Sequence, residues 1–353
     1  MLQAQSIIPV PGAERLLTLL CEHFAEHGEV VSEPGRGRVT FEHGTAVLVL
    51  RDDALHVEVA SSDPIHLDYL KIGIAEHLAE FHEGEPLDIS WRGDGLPAGS
   101  ALPWFRELRV LETLALTPHM RRVRMRGENL GHFAVGGHHV YLIFPPAERE
   151  PVWPVMGASG LPVWPGGEDA LTRRVYTIRR VDPATGELDI DIVVHPGEAT
   201  PGSDFALKAR PGDRVGITGP GGGEVPAGTN FVFLGDDTAL PAIARILETL
   251  PAHARATVIA EVDGPQDEIE LTSRAALDLR FHHRLGAEPG TFGALPRALR
   301  AIDWQAVGAD PFVWSGCEFA DFKAIRTHLR SELGWARDRH LAVAYWRRGR
   351  PGG

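Results

Sequence analysis

The hydrophobic pattern of the chain changes its period at a glycine-rich segment, residues 219–223, and this change restricts the possible folds more than any other feature. Before the segment, from about residue 105, short apolar strands alternate with turn residues, a pattern typical of a small antiparallel barrel. After it, apolar strands alternate with amphipathic helices, which predicts a doubly wound parallel sheet. The sequence therefore predicts two successive domains of different class.

The strands of these two domains can be placed from the same pattern. The predicted barrel strands are 108–114, 120–125, 138–144, 175–181, 188–194 and 214–218. The predicted strands of the parallel sheet are 230–235, 256–262, 277–283, 312–315 and 341–346, with helices at 238–250, 293–301 and 320–333. Six strands are enough to close a barrel.

The first 91 residues predict a separate small α+β domain. Helical spacing of apolar residues from Leu16 to Phe24, and again over 64–81, indicates two helices. Short strands are predicted at 37–41, 45–50, 54–59 and 87–91. Residues 92–104 have the glycine, proline and small-residue composition of a linker. We therefore expect domains over 1–91, 105–221 and 222–353, with the linker 92–104 after the first.

Charge and cysteine content exclude several classes of function. The chain has 48 acidic and 35 basic side chains, a net charge of −13, so neither nucleic acid nor an anionic membrane is an expected partner. Apolar runs of strand length and a start without a signal-peptide pattern predict no membrane span and a cytoplasmic location. Cys21 and Cys317 lie too far apart for an all-cysteine iron–sulfur cluster, so redox chemistry would need an organic cofactor.

The histidines do not predict a metal site. His23 and His27 are four residues apart and share one helix face, whereas His77 and His82 are five apart and do not. Two ligands do not make a structural zinc site. The sequence therefore predicts no bound metal.

Four motifs in the right order resemble those of siderophore-interacting proteins, a family of the ferredoxin–NADP reductase superfamily. The matching segments are 174–179, which follows R-x-Y-T-x-R, the next strand 191–195, then 235–242, similar to G-D-E-T-A-L-P-A, and 345–349, which reads Y-W-R-R-G. The resemblance covers residues 105–350. It implies that the barrel holds FAD, that the α/β domain takes NADH or NADPH, and that the protein reduces ferric siderophores. Residues 1–91 resemble a small domain family of unknown function.

The strand with the first motif carries the candidate flavin contacts. Arg174 and Tyr176 share one strand face, while Thr177 points to the other. Arg174 can place a cation at the FAD pyrophosphate, Tyr176 offers a ring and a hydroxyl to the flavin, and Thr177 can hydrogen-bond near flavin N5. The alternative is an exposed arginine and tyrosine on a barrel strand. The resemblance also places Trp346, with Thr177, at the reacting group.

A loop after the next strand is a candidate diphosphate site. It leads from His195 into a short helix over 204–208, and helix N-termini bind anions. The candidate contacts in this loop are Gly197, Ala199, Thr200 and Ser203. Glu198 stands where family members have a proline and where a phosphate should approach. For His195, a hydrogen-bonded strand end and a direct flavin contact both remain open.

The α/β domain offers candidate nucleotide contacts at Gly235, Asp236, Asp237 and Thr238, between its first strand and first helix. Since two carboxylates would repel a pyrophosphate, Asp236 and Thr238 are interpreted as helix-capping or ribose-facing. Glu318 is either a first-turn helix acid or a contact near the nicotinamide.

Nucleotide choice and substrate recognition stay open. Glu261 and Asp263 favour NADH, whereas Arg280 and Arg284 could receive the 2′-phosphate of NADPH. An anionic ferric chelate could be attracted by Arg122, Arg124 and Arg347, although an exposed barrel face explains the first two equally well. Tyr141 stands where many family members have a basic residue for the chelate.

The overall expectation is an FAD enzyme that passes electrons from NADH or NADPH to a ferric chelate. The alternatives are a flavin reductase with another acceptor and a non-catalytic FAD- or ligand-binding protein. The N-terminal domain is expected to be accessory, so that a chain beginning near Leu102 would still bind FAD.

Overall fold

The computed structural model describes residues 1–25, 27–147, 149–195, 200–222 and 225–350. Their internal contacts define two compact units. The first comprises Met1–Phe105 and Glu148–Leu171, and the second comprises Arg106–Ala147 and Thr172–Gly353. Among the described residues, none of the helices combines the length and the apolar character that crossing a bilayer requires.

The described residues form nineteen strands and seven α-helices. The strands are β1 Leu2–Pro9, β2 Glu29–Glu33, β3 Arg36–Phe41, β4 Gly44–Arg51, β5 Ala54–Ser61, β6 Arg92–Gly93, β7 Arg106–Thr117, β8 Met120–Gly127, β9 His139–Phe144, β10 Val155–Met156, β11 Pro162–Val163, β12 Thr172–Asp182, β13 Glu187–Val193, β14 Arg214–Gly221, β15 Asn230–Asp236, β16 Arg255–Val262, β17 Ala276–His283, β18 Phe312–Glu318 and β19 His340–Trp346. The helices are α1 Ala13–Phe24, α2 Pro64–Phe81, α3 Pro201–Lys208, α4 Leu240–Thr249, α5 Ala294–Arg300, α6 Trp304–Val307 and α7 Phe319–Thr327.

The first unit is an antiparallel sheet covered by two helices. Its strand order is β2-β3-β4-β5-β1-β6, and α1 and α2 bury their apolar faces against it. The start of α2 is fixed by Asp63, whose carboxylate accepts hydrogen bonds from the backbone of Ile65 and His66 at 2.8 and 3.0 Å. Pro64 follows at the first helical position, where its missing N–H costs nothing. The α+β class predicted for this region is confirmed.

One predicted strand of this unit is wrong, and three strands of its sheet, β1, β2 and β6, were not predicted. Residues 87–91 pack Leu87, Ile89 and Trp91 against the core without joining the sheet, and β6 pairs with β1 instead. The sequence also gave no signal for β1 and β2. In β1 the buried face is built from small or polar residues, Ala4 and Ser6, together with Ile8, so apolar alternation is weak.

The second unit begins with a closed six-stranded antiparallel barrel in the order β12-β13-β8-β7-β14-β9. All six predicted barrel strands are present. Its interior is filled with aliphatic side chains, among them Leu108, Val123, Ile190 and Ile217, each fully buried. The barrel is therefore a packed scaffold whose outer face and ends are available for binding.

The rest of the second unit is a parallel sheet in the order β17-β16-β15-β18-β19. Helix α4 packs on one face, and α5 and α7 pack on the other. The helix predicted over 320–333 is divided, because α7 ends at Thr327 and a π-helical turn follows at His328–Glu332. The doubly wound class is confirmed.

A segment between the barrel strands β9 and β12 belongs to the first unit. Within it, β10 and β11 pair as a short hairpin. Met156 exchanges backbone hydrogen bonds with Gly99 and Ser100 at 2.7 and 2.8 Å, and the indole of Trp91 donates to the carbonyl of Ser159 at 3.0 Å. Leu161 packs against the core of this unit. We call residues 149–171 the excursion. The last residue of the excursion, Leu171, is followed directly by β12.

Candidate active site

Strand β12 places the motif residues beside β9, with Tyr176 opposite Val140 and Thr177 opposite His139. The ring of Tyr176 packs against the barrel core, and its hydroxyl lies so close to Gly202 of α3 that a Cβ at Gly202 would clash with it. Burial raises the pKa of Tyr176 to about 12, so the phenol stays neutral at physiological pH. The half-buried Arg174 donates to the carbonyl of Arg173 at 2.7 Å.

Tyr345 joins the barrel to the last strand of the sheet. Its hydroxyl is hydrogen-bonded to Thr177 and lies 3.1 Å from Nε2 of His139. Burial raises the pKa of Tyr345 and lowers that of His139, so both groups are neutral. Thr177 is only 5% exposed. The sequence singled out Trp346 and not its neighbour Tyr345, although the Y-W-R-R-G motif contained both.

A cavity of about 210 Å³ lies beside this group, lined by His138, His139, Trp314 and Tyr345 among others. Burial and the nearby charge of Arg245 lower the pKa of His138 to about 4. Its buried Nδ1 atom has no hydrogen-bond partner among the described residues. A buried polar atom without a partner is costly, so this cavity wall is suited to a polar group of a ligand.

The N-terminus of α3 lies next to Tyr176. Thr200 occupies the cap position but its side chain makes no capping bond, and Pro201 is the first helical residue. Ser203, 2% exposed, accepts a hydrogen bond from the backbone of His195 at 3.0 Å, which fixes the entry of the helix. Candidate residues Gly197 and Ala199 lie outside the described residues, as does Glu198.

These groups fit FAD. A guanidinium at Arg174 and the first helix N–H groups of α3, which the side chain of Thr200 does not cap, are complementary to a diphosphate, and Tyr176 supplies an aromatic surface close by. The close approach of Gly202 to Tyr176 requires a residue without a side chain at that point. The helix begins at Pro201, earlier than the predicted residue 204.

Asp236 is the central hydrogen-bond acceptor at the carboxyl edge of the sheet. One carboxylate oxygen accepts from the backbone and hydroxyl of Thr238 at 3.0 and 2.5 Å. The other accepts from the backbone of Glu318 at 3.1 Å and from the indole of Trp346 at 2.8 Å. Burial raises the pKa of Asp236. The structure therefore places Asp236 in the turn before α4, where it braces the ends of β18 and β19 and holds Trp346.

Gly235 permits a close approach of strand β15 to helix α4. A Cβ at Gly235 would lie 2.7 Å from Cβ of Ala239 and 2.8 Å from Cδ1 of Ile243. Both neighbours belong to the tightly packed start of α4, so they cannot give way easily. Gly235 thus serves helix packing in the structure.

Other carboxylates at this edge are also bound within the protein. Asp237 is paired with Arg284 at 2.7 Å, and Glu261 lies 3.8 Å from the same guanidinium. Burial raises the pKa of Asp237 to about 6 and that of Glu261 to about 7. The side chain of Glu318 caps α7 through the backbone of Ala320 and accepts from the backbone of Arg348 at 3.1 Å. Glu318 therefore acts as a helix-cap acid in this structure.

The arginines suggested for chelate binding are largely neutralised. Arg122 forms two bonds to Asp191 at 2.7 and 2.8 Å, and Arg124 is bonded to Asp189 at 2.9 Å and also to Glu112. In this cross-strand ladder the aspartates are buried and the arginines are half-buried. Arg347 is exposed and lies over the ring of Phe319, 4.6 Å from its centre.

Comparisons with known proteins assign each part of the chain to a family. Residues 109–224 match the siderophore-interacting FAD-binding domain and residues 228–349 match the siderophore-interacting protein family. Residues 5–92 match a family described as an uncharacterized protein conserved in bacteria.

Curated relatives and solved structures agree with this assignment. The ferric vibriobactin reductase ViuB of Vibrio cholerae is 33% identical over 242 residues, which cover 67% of this chain and 86% of that protein. A siderophore utilization protein from T. fusca superposes with a TM-score of 0.60 at 35% identity, covering 70% of this chain and 94% of its own. The siderophore-interacting protein SipS of Aeromonas hydrophila gives 0.59 at 30% identity, covering 70% and 92%. The chain is thus a flavoprotein reductase that belongs to the siderophore-interacting protein family.

Proposed function

We propose that this protein uses FAD to pass electrons from NADH or NADPH to a ferric siderophore, reducing Fe³⁺ to Fe²⁺ so that the weaker ferrous complex releases its iron. The observation that carries the proposal is the meeting of Arg174, Tyr176 and the uncapped N-terminus of α3 at one end of the barrel. This donor set suits a flavin dinucleotide, and the family assignment supplies the chemical context.

The residues of this chain hold and shield the flavin. Bound FAD would accept an electron pair from the nucleotide and pass electrons on singly. Arg174 and the first N–H groups of α3 would bind its diphosphate, and neutral Tyr176 would pack against it. Thr177, Tyr345 and His139 form one hydrogen-bonded group in which Thr177 is buried and the other two side chains are half-buried. Thr177 and Trp346 stay predicted contacts of the reacting ring.

NADH is the proposed donor. Arg284 is buried and paired with Asp237, and Arg280 is paired with Asp278 at 2.5 Å. Neither arginine is therefore set aside for a 2′-phosphate. Because pyridine nucleotides are cytoplasmic reductants, we also propose a cytoplasmic location.

The test is an anaerobic two-step reduction. Purified protein loaded with FAD is mixed with NADH or NADPH, and the flavin absorbance is followed; a ferric chelate is then added with a ferrous-specific dye. We expect NADH to bleach the flavin faster than NADPH, and the chelate to restore the flavin colour while ferrous iron forms. Bleaching without ferrous iron would favour another acceptor. Protein that takes up no FAD would contradict both reductase functions.

Replacement of Arg174 by alanine should weaken FAD binding most among the barrel residues. Loss of a charge-assisted diphosphate contact costs about 1.5–3 kcal/mol, roughly a tenfold to hundredfold loss of affinity. Tyr176→Phe removes one hydroxyl and should cost about 1 kcal/mol. The dissociation constant is measured by flavin fluorescence on refolded, flavin-stripped protein.

Arg173→Ala is the matched control, because Arg173 lies over the ring of Tyr141 and not on the face of Arg174. Its FAD affinity should stay near that of the unaltered protein. Stoichiometric FAD with unchanged affinity in a folded Arg174→Ala variant would place the diphosphate elsewhere.

A further inference from the structure

Three histidines come together in the first unit, although the sequence showed only two of them on one face. His23 lies on α1, His27 follows that helix, and His77 lies on α2. The ring centres of His23 and His77 are 4.1 Å apart, and those of His23 and His27 are 5.0 Å apart. The packing of α1 on the same sheet as α2 thus adds a third imidazole to the pair.

The hydrogen bonds of these rings leave nitrogen lone pairs available. Nδ1 of His77 lies 3.1 Å from a carboxylate oxygen of Glu80, so this nitrogen carries the proton and donates it to the carboxylate. Nε2 of His77 is then an acceptor. A carboxylate that fixes the tautomer of an imidazole in this way is the usual outer partner of a metal-binding histidine.

His23 provides a second observation that points to a ligand. Its Nε2 atom is buried, and the described residues offer it no hydrogen-bond partner. The surrounding rings, Phe24 and Phe81, explain the packing of the imidazole but give its nitrogen nothing to bind. A buried nitrogen without a partner is destabilising, and a metal ion would satisfy it.

The spacing of the rings suits coordination. With metal–nitrogen bonds of about 2.0–2.1 Å and a near-tetrahedral angle, the centres of two imidazoles on one ion lie about 5 Å apart. The separation of 5.0 Å between His23 and His27 matches this value, whereas the 4.1 Å between His23 and His77 is shorter, so the side chains must rotate to bring the three nitrogens to one ion. His27 is exposed, so its ring can turn and the ion can enter from solvent.

A second group of potential ligands, His119, Asp263 and Asp267, is a weaker candidate. Nδ1 of His119 lies 3.0 and 3.1 Å from the two carboxylate oxygens of Asp267, and the backbone N–H of His119 donates to the same carboxylate at 3.2 Å. These atoms already satisfy one another. The group is explained as a bridge between the β7–β8 turn of the barrel and the loop after β16.

We propose that His23, His27 and His77, with Glu80 orienting His77, form a binding site for a divalent first-row transition-metal ion in the N-terminal unit. Three neutral imidazoles suit zinc, cobalt, nickel, copper and ferrous iron. The inference that the natural ion is Fe²⁺, the product of the reduction, rests on the proposed function. The inference that the site binds a metal ion does not.

The experiment uses the full chain without a histidine tag, treated with a chelator and then titrated with Co²⁺ or Zn²⁺. We expect one Co²⁺ per chain, a visible ligand-field spectrum, and competition by Zn²⁺. Glu80→Gln should lower Co²⁺ affinity about 10- to 100-fold, and His77→Ala should lower it further. Binding should weaken as the pH falls below the range in which imidazoles are neutral. Anaerobic Fe²⁺ is tested as the competitor of Co²⁺.

Control variants separate this site from others. His43→Ala with His66→Ala removes a stacked histidine pair elsewhere in the unit and should leave binding unchanged. Because His23 is packed among aromatic rings, the exposed His27→Ala serves as the second variant should His23→Ala fail to fold. The proposal is overturned if the chain binds neither ion, or if binding survives in His77→Ala and is lost in His119→Ala. Neither outcome depends on flavin reduction, so neither would contradict the proposed function.

Discussion

Asp236→Ala is expected to destabilise the second unit by more than about 3 kcal/mol, because donors buried around the carboxylate would lose their acceptor at a cost of about 1–3 kcal/mol each. The donors are the backbone of Thr238 and Glu318 and the indole of Trp346. These contacts connect β15 to the ends of β18 and β19. Their loss should also release the indole of Trp346, so electron transfer from NADH to FAD should slow even in the protein that remains folded.

Denaturant unfolding followed by circular dichroism measures the first effect, and the rate of flavin bleaching measures the second. Asp236→Asn keeps the size of the side chain and one carbonyl acceptor, so its loss of stability should be smaller. Asp278→Ala is the control, since Asp278 is exposed and paired with Arg280 on the surface. Equal stabilities for Asp236→Ala and Asp278→Ala would show that Asp236 does not brace the sheet.

A chain that begins at Leu102 is expected to lose the ordered conformation of the excursion and, as a result, to bind FAD roughly tenfold or more weakly. Such a chain lacks Trp91, Gly99 and Ser100, which bond to the excursion, and the core against which Leu161 packs. Burial of an aliphatic side chain contributes about 1.5–3 kcal/mol, and a two-stranded hairpin alone is marginal in water. Disorder there would extend to the start of β12 at Thr172, two residues before Arg174.

Limited proteolysis measures directly whether the excursion is ordered. New cleavage sites within residues 149–171 should appear in the truncated chain and be absent from the full chain. Trp91→Ala in the full chain should reproduce part of the effect, whereas Trp104→Ala should not, because the indole of Trp104 stacks on Tyr69 of helix α2. An uncleaved excursion with unchanged FAD affinity would support the simpler expectation from the sequence, in which the N-terminal domain is dispensable.

The period of the hydrophobic pattern was enough to predict both domains of the second unit. Each barrel strand and each sheet strand buries a continuous or alternating set of aliphatic residues, so its pattern is strong. Helix α2 was equally clear, since its apolar stripe is bounded by an Asp63–Pro64 cap.

The elements that the sequence missed depend on long-range packing. Strand β1 buries Ala4 and Ser6, whose small side chains carry little periodic signal. The excursion lacks long elements, and its order comes from contacts with residues more than fifty positions away, such as Trp91 to Ser159. The hydrophobic pattern of a short segment cannot identify a contact partner that is distant in the sequence.

Within the candidate site, sequence reasoning identified residue types better than their partners. Asp236 was predicted to cap a helix or to face a ribose, but its bonds to Glu318 and Trp346 join three strands that only the fold brings together. Arg122 and Arg124 looked like a basic surface because Asp191 and Asp189, which neutralise them, lie on a different strand. The sequence did not place His77 beside His23, because the two histidines lie on different helices.

Strand β19 follows every other strand of the sheet in chain order, yet it carries both Tyr345 and Trp346. Domains fold in the order in which they are synthesised, so the barrel can close long before this strand has been translated. Until then His139 and Thr177 lack Tyr345 as a partner, and Asp236 lacks its indole donor. In a chain that folds in the order of its synthesis, the barrel would therefore form before β19 can supply Tyr345 and Trp346.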